Sequence, residues 1–577
     1  MKNYMTTLLL LLATQVYAQE MLLLNGKKYR IADIENITVT TTRPQLPDVL
    51  AAQGGYSIFS EALEVTGIAD SISYWDTFGT YSCSNNTGRP GSSFRGPYYV
   101  PTDCKIKYSV FAVTDETFAS LGITNLSDLK VMCVEWYGRA ADWYDYPGKG
   151  AHAISTGNDY TSVYNVLNMF VRYHIIKAGA PVSRLLYEYD PENWNWNFAF
   201  GGEPYEYYET LLPHTLMKIW QPLYQNTGES TNIWINRWRA NNTLTDEVGT
   251  FGSDATHSII KTGSLIVRDQ SDITALNGYI HTVNAPLIYN TDVVNGVLNE
   301  RMRVDAGAIL HELSNNGIRF ATTEEIGTMN QEGTDGTLTR LPLDYFENFV
   351  CYSGEKTHFA WYTTGPWRAW GADQVSIWGS DNKGVIDFAF RLPSVPSGTY
   401  EVRFIYPPMA NCGMVYPYIG TSSDTTSMQL LVPFDVAYPN SGSQEDRRSS
   451  GYLLVSEFQD YGVESDQILR SNGYLRAPAS FSRGTYNQIK NRIASPYELT
   501  ATISNCCRYE EGYGTTMLRR ILGTVEISQQ KDYWLRLKIV NPTGSGISYD
   551  QFGFSFDFIE LVPTSVVNNP NFSEDWY

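Results

Sequence analysis

One stretch constrains the fold more than any other: Tyr108 to Leu121, YSVFAVTDETFASL. Leading into it, Ile106, Tyr108, Val110 and Ala112 fall on one side of an extended chain, and Lys105, Lys107 and Ser109 fall on the other. That alternation predicts a half-buried strand. Thr114 then takes the place of a helix N-cap, and Asp115 and Glu116 stand in the first turn, where carboxylates complement the positive helix end. Phe118 and Leu121 supply an apolar face, and Gly122 stops the turn. A strand running straight into a capped helix commits this region to a mixed α/β layer. Further on, Val163, Val166, Leu167, Phe170 and Val171 follow a 3.6-residue period, which predicts an amphipathic helix. Residues 264–284 read as two short strands joined through Asn277-Gly278.

Four of these segments carry a family resemblance. Phe111 to Phe118, F-A-x-T-D-E-x-F, resembles the signature of the fasciclin-like domain, an extracellular adhesion module. YSIFSEALEVTGIAD (56–70) resembles that family's first helix, and Tyr173-His174-Ile175-Ile176 its Tyr-His box. Asn277 to Val283, Asn-Gly-x-Ile-His-x-Val, resembles its closing box. The boxes run in the family's order across 51–290, so the resemblance implies a fasciclin-like domain there. The chain departs from the family in length, with 72–104, 138–160 and 190–255 reading as insertions. The last holds Trp194, Trp196, Trp220, Trp234 and Trp238, and within it TLLPHTLMKIW (210–220) resembles a family strand.

The remaining chain divides around that module. Residues 1–18 read as a signal peptide: Lys2, the apolar run Leu8 to Leu12, then Val16-Tyr17-Ala18 as a cleavage site. The run is too short to span a membrane, and no later run is long enough, so a chain exported to the periplasm or cell surface is expected, with no transmembrane span. Residues 19–50 form a hairpin around Asn25-Gly26 and a linker. Residues 291–320 read as a connecting helical segment, with Val297, Leu298, Met302, Ile309 and Leu313 as its apolar positions and Asn315-Asn316-Gly317 as its end.

From 321 to 565 the texture is β. Strands are expected at Asp387–Phe390, Thr399–Ile405, Tyr452–Val455, Tyr533–Val540 and Phe554–Leu561, and 566–577 is a tail. Ser397 to Arg403 and Phe556 to Leu561 resemble the edges of a galactose-binding-like β-sandwich, a scaffold used by many carbohydrate-binding modules. The expected fold class is therefore α+β: a fasciclin-like mixed α/β domain followed by an all-β, jelly-roll or galactose-binding-like sandwich. The arrangement resembles exported fasciclin-domain proteins of Bacteroidetes-type bacteria.

Composition narrows the function. The net charge is −19, which argues against tracking nucleic-acid phosphates. Seven cysteines are an odd number for an exported chain; Cys83 and Cys104 flank a loop they are able to bridge, and the adjacent Cys506 and Cys507 are poorly placed to bridge each other. No Gly-x-Ser-x-Gly elbow and no cysteine/histidine zinc spacing occurs. His174 and His281 read as structural residues inside their boxes. Glu332 to Gly336 is an acidic loop that reads as a solvated turn rather than a calcium site.

A glycoside hydrolase needs two carboxylates across a cleft, and Asp557 and Glu560, three apart on an expected strand, point to opposite faces. The stronger signal is aromatic. Trp361, Trp367, Trp370 and Trp378 crowd one segment, with Arg368 and Asp373 among them. Exposed rings bind sugar faces while polar side chains hold hydroxyls. These six residues are the candidate ligand site, against the plainer reading that the rings fill a core. The expected function is a non-enzymatic envelope binding or adhesion protein with a glycan or envelope-protein partner. No catalytic residue, metal or cofactor is expected, and oligomeric state is left open. The alternative is a glycoside hydrolase with its cleft between the domains.

Overall fold

The computed structural model describes residues 21–24, 27–30, 44–73, 106–186, 204–221, 232–239, 260–261, 263–320, 338–341, 345–353, 358–363, 373–378, 385–406, 413–436, 463–476, 518–540 and 553–569. The chain forms two compact units, 1–44 and 45–577. In the first, Met21–Leu24 and Lys27–Arg30 pair as the expected antiparallel hairpin.

The second unit begins with helices α1 (Leu46–Gln53) and α2 (Ser57–Val65), ahead of strand β1 (Tyr108–Val113) and helix α3 (Asp115–Ser120). The Thr114 hydroxyl caps α3, accepting from the Thr117 N–H at 3.0 Å. Asp115 has a further role that local pattern does not reveal. Its carboxylate accepts from the Ser57 and Ile58 N–H groups at 2.9 and 3.0 Å, and so caps α2 from another element. Helix α4 (Val166–Tyr173) buries nearly its whole length. Strand β2 (Gly278–Val283) then lies parallel to β1 in unbroken register. Gly278 is required there: its φ is +155°, and a Cβ would stand 1.9 Å from the Tyr108 carbonyl oxygen.

The eight-stranded sheet runs Ile175–Ile176, β1, β2, Ser264–Val267, Trp234–Ile235, Leu216–Trp220, Tyr205–Glu209, with Ile273–Ala275 added on β2. Its two ends meet, because the Leu211 N–H donates to the Ile175 carbonyl at 2.8 Å and Thr210 bridges Ile176, so the sheet nearly closes. The 190–255 stretch, expected as an insertion, therefore builds one wall of this sheet. Val110, Phe111, Phe118, Val166, Leu167, Phe170 and Ile280 share one buried core, as the periodicities predict.

Two expectations are corrected in the remainder. Met302 is not helical: strand β3 (Met302–Asp305) pairs antiparallel with a strand near the end of the chain. The alternation Met302, Arg303, Val304, Asp305 is a strand period, which the i, i+4 spacing of Leu298 and Met302 disguises. Helix α5 (His311–Asn315) follows it, and then strands β4 (Val385–Arg391), β5 (Gly398–Tyr406), β6 (Leu518–Ile527) and β7 (Phe558–Pro563). Phe554 to Leu561 is likewise not one strand. It breaks at Asp557 into Gly553–Phe556 and β7, which belong to different sheets. The strand expected at Tyr452–Val455 lies outside the described residues.

Three sheets result: β3–β7–β5–β6–(Tyr474–Arg476), a six-stranded sheet containing β4, Trp534–Val540 and Met414–Gly420, and a four-stranded sheet containing His358–Thr363, Asp373–Trp378 and Gly553–Phe556. Their apolar faces meet where Phe554 stacks on Phe404, centroids 5.5 Å apart, with Phe388 at 6.3 Å.

One charged cluster sits inside this β region. Strand β7 runs between β3 and β5, so Glu560 stands directly opposite Arg303 on one side and Arg403 on the other. Its carboxylate accepts from Arg303 at 2.6 and 3.0 Å and from Arg403 and Arg519 at 3.1 Å, and all four side chains are buried. Burial alone would raise the Glu560 pKa, but Arg519, Arg303 and Arg403 hold it well below the usual carboxylate range. Glu560→Gln keeps the shape and removes the charge, leaving buried guanidinium groups without their shared anion. It is expected to cost about 3 kcal/mol or more. Denaturant unfolding measures this, and a midpoint equal to wild type would contradict it.

Candidate functional site

The two box histidines are both fully buried. His174 Nδ1 donates to the Phe170 carbonyl at 2.8 Å, and Nε2 accepts from the Leu287 N–H at 2.9 Å. Both ring nitrogens are thus engaged by backbone. His281 Nε2 stands 3.1 Å from the Ala180 carbonyl, and Nδ1 lies 3.5 Å from Asp272 Oδ1. Burial lowers both pKa values to about 4, against the opposing pull of the Phe170 carbonyl on His174 and of Asp272 on His281. These groups hold the α/β core together, the structural role expected of them.

Of the six candidate ligand residues, Trp361, Asp373 and Trp378 fall on two paired strands. Trp361 stands opposite Val375, Thr363 opposite Asp373, and His358 opposite Trp378. Trp367, Arg368 and Trp370 lie outside the described residues, as do Cys83, Cys104, Cys506, Cys507 and the 332–336 loop. Within the 190–255 stretch, Trp220 is buried in the α/β sheet.

A depression of about 450 Å³ opens on the α/β module beside the start of α3. Gln53, Tyr56, Thr114, Glu116, Asp269 and Ser271 line it, together with the Gly54-Gly55 turn. Glu116 and Asp269 are both exposed there.

Where the α/β sheet meets the β region, side chains fill the joint. Arg391, at the end of β4, clamps Glu209 of the α/β sheet through Nη1–Oε1 at 2.9 Å and a second Nη2–Oε2 contact, while the Ser394 N–H adds a bond of 2.8 Å. Burial opposes charge on Glu209, yet Arg391 holds its pKa down at about 2. Arg319 pairs with Glu206 and donates to the Tyr208 hydroxyl at 2.7 Å. Gln529 Nε2 reaches the Tyr289 hydroxyl at 2.8 Å and the His214 carbonyl at 2.7 Å. The space left beside Arg391, His311 and Asn348 is about 30 Å³, room for a water molecule. Nearby, burial and the negative Glu206 push Asp305 up to about 7 against Arg319.

No protein-family model matches the chain, and no curated protein matches it. Among solved structures, the chain is similar to the K1 cleaved adhesin domain of Lys-gingipain from Porphyromonas gingivalis, at 10% identity over 39% of this chain and 93% of that domain, with a TM-score of 0.19. It is also similar to a Paenibacillus xanthan lyase, at 9% identity over 63% of this chain and 21% of the lyase, with a TM-score of 0.18. Likeness this slight carries no argument about function. No helix among the described residues is long and apolar enough to cross a membrane.

Sequence reasoning missed the joint. Glu209 and Arg391 are 182 positions apart, and no local pattern pairs them. The histidines were legible, and they allow a pH test. The unfolded chain takes up a proton on each histidine near pH 6.5, whereas the native rings refuse it down to about pH 4. The stability they lend is complete above 6.5 and is lost as pH falls, by about 3 kcal/mol per ring at pH 4. His174→Gln is expected to cost roughly 1–3 kcal/mol at neutral pH and to flatten the fall in stability between pH 6.5 and 4. Unfolding curves that stay parallel to wild type across that range would contradict a neutral buried ring.

Proposed function

We propose that the chain is an exported, non-enzymatic binding or adhesion protein of the cell envelope, with a fasciclin-like module and a β-sandwich module, and that its ligand is a glycan. The observation that supports this reading is the joint. A glycoside hydrolase with its cleft between the modules needs an open groove faced by two carboxylates. Here, among the described residues, Glu209 is tied to Arg391 and Glu206 to Arg319, and the void that Glu209 and Arg391 border beside His311 and Asn348 holds about 30 Å³. Such a joint suits rigid presentation of a surface better than closure on a substrate.

Two places are then candidates for the sugar. One is the paired strands that carry Trp361, Asp373 and Trp378. The other is the polar depression beside α3, whose hydroxyls, amides and carboxylates suit sugar hydroxyl groups. A glycan array probed with the full chain is expected to return one class of saccharide. Trp361→Ala and Trp378→Ala are expected to weaken that binding by roughly 1–3 kcal/mol if the strands hold it. Loss instead in Glu116→Gln with Asp269→Asn would move the ligand to the depression. Release of shortened saccharide from the array ligand would overturn the non-enzymatic reading.

A further inference from the structure

One cluster at the rim of the joint has no part in the reading above. His311 and Glu312 open helix α5, and Glu347 lies just ahead of the strand Phe349–Cys351. The geometry points to a binding site for one divalent transition-metal ion of the zinc class, held by His311 Nε2 and the carboxylates of Glu312 and Glu347.

Spacing is the first ground. One ligand atom from each residue lies within 4.8 Å of the other two. His311 Nε2 is 3.8 Å from Glu312 Oε1 and 3.6 Å from Glu347 Oε2. These separations are too long for hydrogen bonds. They are close to the roughly 3.4 Å edge of a tetrahedron whose corners sit about 2.1 Å from a central zinc ion.

The second ground is an unsatisfied oxygen. Glu312 is fully buried, and its Oε1 accepts from the Glu347 N–H at 2.7 Å. Its Oε2 is buried with no hydrogen-bond partner. A carboxylate oxygen stripped of water and left without a donor is costly, and a cation gripped by both Glu312 oxygens, with Oε1 on the His311 side, relieves that cost.

The surroundings are also fixed in advance. Asn348 Nδ2 donates to the Ile309 carbonyl at 3.0 Å, and Asn316 Nδ2 donates to the Glu312 carbonyl at 2.9 Å, so the loop and the helix are tied on both sides of the ligands. Such outer bonds orient metal ligands and tune affinity. One imidazole with two carboxylates suits zinc, whereas calcium prefers six to eight oxygens. Glu347 is half-exposed and carries the Lys177 ammonium at 3.0 Å. That ammonium competes with a metal ion for the Glu347 carboxylate alone, and metal entry displaces it from Glu347 while solvent supplies the remaining ligand.

The test is zinc titration of the full chain against a chromophoric chelator, with melting followed in zinc and in EDTA. One equivalent is expected per chain, with a melting midpoint raised by zinc. His311→Gln and Glu347→Gln should each weaken binding by about tenfold or more, and Lys177→Met should tighten it, because the competing ammonium is gone. Glu347 is half-exposed, so its variant keeps the test valid if His311→Gln misfolds. Absence of saturable zinc uptake by wild type would overturn the site. So would uptake undiminished in Glu347→Gln, or a calcium affinity equal to that for zinc.

Discussion

The β region depends on one buried anion. Glu560 sits on β7, an inner strand of its sheet, with Arg303 and Arg403 directly across on either side, and Arg519 and Arg301 also approach its carboxylate. A buried ion cluster of this kind adds little net stability over a well-packed apolar core, since desolvation offsets most of the attraction. What it imposes is register. A one-residue slip of β7 would carry Glu560 to the other face and leave the arginines buried without their anion. Three strands drawn from residues 302–305, 398–406 and 558–563 are thereby held in one alignment.

That alignment also explains why the two modules are hard to separate. Strand β3, the next described strand after the α/β sheet, forms an edge of the five-stranded sheet, which is incomplete without it. Fourteen residues past Asp305, Arg319 turns back to Glu206 on the α/β sheet, and Asp305 itself shares that guanidinium at 3.3 Å. A single short segment therefore belongs to both modules. The Arg391–Glu209 clamp closes the other side of the same contact. Relative motion would have to expose several buried charges together, which is why the joint reads as a fixed angle rather than a hinge.

Much of the α/β core was legible because its signals are local. Thr114, Phe118 and the period of Val166, Leu167 and Phe170 each act within a few residues of themselves, and the structure uses them as expected. The hidden features are those whose partners are distant. Asp115 looks like an ordinary first-turn acid but caps α2, 58 positions back. Met302 carries a strand whose partner lies near the other end of the chain, so no neighbouring hairpin announces it. Asp557 looks like one polar residue in a continuous strand, yet the chain changes sheets there. His311 and Glu347 are separated by a stretch with no metal-binding spacing, and only the fold brings them together. Charge pairs and sheet changes of this sort obey geometry, not periodicity.

The buried charges also bear on which ligand suits this surface. Among the described residues, six arginines and Lys218 are buried, against seven buried carboxylates. Among these residues the buried formal charges nearly cancel, while the whole chain carries −19. An acidic exterior repels anionic polymers over roughly a Debye length and does not oppose a neutral saccharide. A polyanionic glycan would need a cation between itself and the protein. A neutral one needs only hydroxyl and amide partners, the kinds of group that line the depression beside α3.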